Sequence, residues 1–141
     1  MTARTPDSRL PDWRPRLVAY LTTVAGKPFG YGTHDCALFA AGAVEAMTGN
    51  DWAADYRGRY STLKEGLKLL DQGALRDHVA LLDARLESIP PAFAAVGDIA
   101  VIGEDGTRAL GIFEGESILV LRETGLGHVP RADAVAAYRV P

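Results

Sequence analysis

At 141 residues the chain has the length of one domain and can bury a substantial core. Its 48% hydrophobic and 23% charged residues are ordinary for a globular protein, and a net charge of −3 gives nucleic acid or an anionic membrane no reason to bind. A single cysteine excludes an internal disulfide and a multi-cysteine zinc site.

Residues 1–11 are polar, lack the apolar centre of a signal peptide and read as a flexible arm ahead of one domain over 12–141. No apolar run approaches the roughly 18 residues that cross a bilayer, so neither a membrane span nor a leader is expected. From Trp13 the apolar positions Leu17, Tyr20, Leu21 and Val24 recur at helical spacing, and Gly26 with Pro28 stops them.

A second helix follows Asp35, a natural N-cap, and runs to Thr48-Gly49-Asn50. Cys36, Phe39, Ala40, Ala43 and Met47 line one face, and Glu45 is the only ionised group. A helix so apolar belongs in the centre of a fold. Residues 51–61, with Trp52, Tyr56 and Tyr60, read as an ordered loop whose aromatics lie over the core. Helical spacing returns over 62–70 and 75–86, with Gly73 between.

Beyond Pro90-Pro91 the period changes. Gly97-Asp98 reads as a turn before a strand at 99–102, and Glu104-Asp105-Gly106 as a hairpin turn. Segments 107–113, 117–122 and 137–140 are further strands. Helices first and strands afterwards give an α+β fold with a C-terminal antiparallel sheet packed on the central helix.

The chemistry turns on Cys36, which follows the glycine-rich turn Phe29-Gly30-Tyr31-Gly32 at a helix start. There the helix dipole and free N–H groups favour a thiolate, yet a buried cysteine also serves as a small core residue. Spacing leaves both roles open. A nucleophile needs a base within hydrogen-bond reach. Of the three histidines, His34 lies two residues before the thiol, and His78 in Arg76-Asp77-His78 reads as a solvated surface residue. His128, in Gly125-Leu126-Gly127-His128-Val129-Pro130, belongs to the sheet half and is the better-placed candidate. Gly30-Tyr31-Gly32 follows no strand and lacks the third glycine of a dinucleotide loop, and the acidic loop residues have no calcium-loop spacing. No cofactor and no metal are expected.

The run Phe29-Gly30-Tyr31-Gly32, Asp35-Cys36 and Phe39, then Gly97-Asp98-Ile99, then Leu110-Gly111-Ile112-Phe113-Glu114-Gly115 resembles the NlpC-type cell-wall peptidases. These are papain-like cysteine hydrolases in which an aspartate–cysteine pair opens the central helix. The resemblance spans Phe29 to Gly115 and implies a papain-like, NlpC-type fold. It departs at one position: where the family carries its catalytic histidine this chain has Ala109, which cannot take a proton.

The chain also resembles an uncharacterised family encoded in tail modules of bacteriophages, prophages and gene-transfer-agent-like particles. The matching residues are Asp35-Cys36-Ala37-Leu38-Phe39-Ala40, Thr48-Gly49-Asn50-Asp51, Arg57-Gly58-Arg59-Tyr60, Gly97-Asp98, Ala109-Leu110-Gly111 and Ala137-Tyr138-Arg139-Val140. This likeness implies a virion component at or near the tail tip, with hub or tail-tip subunits as partners. Its implied role is structural or host-envelope-contacting, on a degenerate peptidase fold. The alternative is an active peptidoglycan-cleaving peptidase using Cys36 with His128, or with His34.

Overall fold

The computed structural model describes residues 8–73, 77–104 and 107–141, the side chains of residues 104 and 107 excepted. Its architecture is α+β. Helices α1 (Trp13–Val24), α2 (Cys36–Thr48), α3 (Leu63–Gln72) and α4 (His78–Arg85) precede the sheet. Strands β1 (Glu87–Ile89), β2 (Ile99–Glu104), β3 (Thr107–Glu114), β4 (Ser117–Arg122), β5 (Gly125–Pro130) and β6 (Ala134–Arg139) form one antiparallel sheet in the order β1-β6-β2-β3-β4-β5.

Helix α2 is the central element, as its composition implies. Asp35 caps it by accepting from the Leu38 N–H at 2.9 Å, and Gly49 ends it at φ 84° while donating to the Glu45 carbonyl. Phe39, Ala43, Val44 and Met47 are fully buried. Helix α1 packs across α2 because Gly42 leaves room for the Tyr20 ring, whose hydroxyl donates to the Phe39 carbonyl at 2.8 Å.

Both faces of the sheet are covered. Ile99, Val101, Leu110, Ile112, Leu119 and Leu121 join α1 and α2 in one cluster. Ala100, Ile102, Phe113, Ile118 and Val120 face the other way, under Ile89 and Ala94. The alternation along β2, β3 and β4 follows from the two-residue period of a strand.

Three elements differ from expectation. Residues 8–10 of the anticipated flexible arm are anchored. The Leu10 N–H donates to the Met47 carbonyl, and the Arg9 guanidinium bonds the Val96 and Val140 carbonyls and the Asp98 carboxylate. Strands β1 and β5 were not expected. Strand β5 carries two glycines and a proline, composition that an edge strand tolerates because one of its sides needs no ladder donors. The helix expected over 75–86 has its first two residues outside the described set, as do Asp105 and Gly106 of the expected hairpin turn.

Candidate functional site

The turn before α2 is built around one carboxylate. Asp35, 4% exposed, accepts from the Leu38 N–H through Oδ1, and from the Gly32 N–H (3.1 Å) and the Tyr60 hydroxyl (2.5 Å) through Oδ2. Helix cap, glycine turn and aromatic loop therefore share one anchor, and Cys36 is fixed as the first residue of the helix.

Cys36 lies against a cavity of about 250 Å³. Tyr31, Trp52, Tyr56 and Tyr60 wall one side, leucines of α3 and α4 another, and Ala109 with Leu110 of β3 a third. The aromatic cluster thus does lie over the core, but with a space beneath it. Among the described residues no three His, Cys, Asp or Glu side chains converge as metal ligands.

Burial pushes the Cys36 thiol above its ordinary range, and the neighbouring Asp35 charge adds to this. Backbone N–H groups of Leu110 and of the helix start act in the opposite sense and do not overcome it. At neutral pH the group is a thiol. Desolvation here outweighs the favour that a helix start lends a thiolate.

Neither histidine proposed from the sequence as a partner lines this cavity. His34 is 3% exposed, turns its ring edge-on to Phe39 and borders a separate depression with Lys27, Glu45 and Arg57. Burial, and then the Lys27 charge, push its pKa down. His128 stands on edge strand β5, its side chain 61% exposed, with Nε2 3.2 Å from a Glu114 carboxylate oxygen. The pairing of Cys36 with His128 is not formed, because the Gly-rich edge strand presents that ring to solvent.

A family model described as a domain of unknown function (DUF6950) matches residues 8–140. The chain belongs to the DUF6950 family. No curated protein matches it. The matched span is also the span that the fold closes, since Arg9 and Val140 meet at the Asp98 carboxylate.

The histidine that does line the cavity of this DUF6950 domain is His78, which sequence reading assigned to the surface. It is the first residue of α4, capped by Asp77, whose Oδ1 accepts from the Ala80 N–H at 3.0 Å. The signal was in the sequence: Asp77-His78 repeats the cap-then-reactive-residue order of Asp35-Cys36. What spacing could not supply is the position of α4 against β3. There Arg108 pairs with Asp77, and its carbonyl lies 2.5 Å from His78 Nε2.

The tyrosines bordering these elements make the DUF6950 fold alkali-sensitive. Burial and then the hydrogen bond to Asp83 push Tyr138 up to about 12, while Tyr60 is raised by burial and by its bond to Asp35. In the unfolded chain a tyrosine loses its proton near pH 10. The folded state therefore holds protons that the unfolded chain releases. That contribution is complete below pH about 10 and is lost as pH climbs through about 12. Urea midpoints measured across this window should fall steadily, and less steeply in Tyr138→Phe; a flat profile would contradict the assignment.

Proposed function

We propose that this domain is a component of a phage-like tail, at or near its tip. It is built on a degenerate papain-like, NlpC-type cysteine peptidase fold whose cleft holds a peptide of the host cell wall. The observation that carries the reading is Cys36 at the first turn of the central helix, against Leu110 of the sheet and open to a cavity. Support comes also from the Gly97-Asp98 turn ahead of β2 and from Ala109-Leu110-Gly111 on β3. Ala109 lacks a titratable group, and His34 and His128 lie away from the cavity, which favours holding over the Cys36–His128 cleavage alternative. Aromatic and leucine walls suit the apolar parts of a peptide, and the Arg122 and Glu123 end of β4 suits its polar ends.

The test is co-sedimentation with insoluble peptidoglycan, beside mass spectrometry of purified tail particles. Wild type and Cys36→Ala should both sediment with the polymer, since losing the thiol costs only about 1 kcal/mol of packing. Leu67→Arg, which places a charge in the cavity wall, should stay in the supernatant while remaining folded. Binding that survives Leu67→Arg undiminished, or absence of the chain from tail particles, overturns the reading.

A further inference from the structure

Cys36 and His78 are tied to the same three residues of β3. Arg108, Ala109 and Leu110 line the cavity together with Cys36, and the Arg108 carbonyl lies 2.5 Å from His78 Nε2. Arg108 and Leu110 are two positions apart, so their backbone groups leave the strand on the same edge. That edge is unclaimed by β4, whose pairing with β3 begins only at Gly111 opposite Val120. Residues 108–110 of β3 and 120–122 of β4 line the cavity, and so do Cys36 and His78.

The carbonyl also decides which ring nitrogen faces β3. A carbonyl oxygen only accepts, so it is Nε2 that carries a hydrogen toward it, and the nitrogen left to accept a proton is Nδ1. The start of α4, which carries the ring, is fixed by the Asp77 cap and by the Asp77–Arg108 pair that joins α4 to β3. An imidazole with an acceptor nitrogen is what a half-buried, protonated thiol requires before it can attack.

We propose that His78 is the proton acceptor for Cys36 in this cavity, taking the part left vacant at Ala109, so that the cleft can acylate and cut what it holds. The proposal rests on the reading of the cavity as a peptide cleft and amends it in one respect: the base missing at Ala109 is supplied from α4, so the fold is not degenerate in activity. In the step, the Sγ–H proton passes to Nδ1 of His78 as Sγ bonds the carbonyl carbon of the peptide. The C–N bond then breaks and the leaving amine takes that proton. Water cleaves the resulting thioester, one of its protons returning by way of His78 to Sγ, so acid and amine are released and the enzyme is restored. The other ionisable groups around the pair are Asp35 bonded to Tyr60, Tyr31 and Tyr56 of the aromatic wall, Asp77 paired with Arg108, and Arg122 and Glu123 at the end of β4.

Iodoacetamide alkylation of Cys36 tests this without any physiological substrate, read as rate against pH. His78→Gln keeps an N–H for the Arg108 carbonyl but has no proton acceptor, and circular dichroism checks its fold. Its alkylation rate at neutral pH should fall on the order of 10²-fold, with loss of the histidine-dependent limb of the profile, while His128→Ala follows wild type. An unchanged profile in folded His78→Gln, or an equal loss in His128→Ala, overturns the proposal. A His78-dependent profile in a protein that ignores peptidoglycan would instead sink the cell-wall reading and leave the pair standing.

Discussion

Replacing Asp98 with alanine should lower unfolding free energy by about 3–5 kcal/mol, the cost of breaking a buried ion pair from one side. Asp98 is 2% exposed. Its Oδ1 accepts from Arg9 Nη2 at 2.9 Å and from the Val140 N–H at 3.0 Å, and its Oδ2 from the Ala95 N–H at 2.8 Å. Alanine leaves two backbone donors unpaired and a guanidinium, 13% exposed, without its counter-charge. The Val96 and Val140 carbonyls still hold Arg9, so the segment stays near and the charge cannot simply swing out to water. Asparagine retains an acceptor oxygen and should fall between the two. Urea unfolding decides the matter: a loss under about 1 kcal/mol in Asp98→Ala would mean that the pair is solvated after all.

The second large effect is expected at Gly32, in the turn that delivers the thiol. Its φ is 82°, and an added Cβ would lie 1.8 Å from the Tyr60 carbonyl oxygen. Left-handed backbone costs a side chain about 1–2 kcal/mol and overpacking about 1–3 kcal/mol more, so Gly32→Ala should lose about 2–5 kcal/mol. Relief can come only by moving the Tyr60 loop, because the Gly32 carbonyl is held by the Gly58 N–H and its own N–H by Asp35. That movement would pull the Tyr60 hydroxyl from the Asp35 carboxylate and open one wall of the cavity. The variant should therefore lose stability in denaturant while its Cys36 alkylates faster. Slower alkylation together with full stability would show that the turn does not govern access to the thiol.

The parts of this fold legible in the sequence are those written in local signals. Asp35 announced the start of α2 and Gly49 its end, and the change of period after Pro90 announced the sheet. Strand β5 was not legible, because an edge strand needs neither β-branched residues nor a full set of donors and so can be spelled Gly-Leu-Gly-His-Val-Pro. In the site, the position of Cys36 was legible but its protonation was not. The helix start is a local property, whereas the burial that raises the thiol comes from β3 and the aromatic loop, both far along the chain. That the half-exposed His78 borders the cavity was not legible for the same reason. A histidine beside charged neighbours looks solvated until the Arg108 carbonyl of another element is placed against it. Arg9, in a polar arm, gave no sign of the Asp98 carboxylate that it meets.

That meeting bears on time as well as on equilibrium. The bond from Arg9 Nε to the Val140 carbonyl joins residues 131 positions apart. Closing so long a loop costs more entropy than the hairpins and helix pairs inside it, so this clasp belongs to the last steps of folding. Contacts that form after the barrier restrain escape from the native state and scarcely affect its formation. The Arg9–Asp98–Val140 junction thus works as a latch on lifetime: a copy lacking it would fold at nearly the usual rate and unfold far sooner.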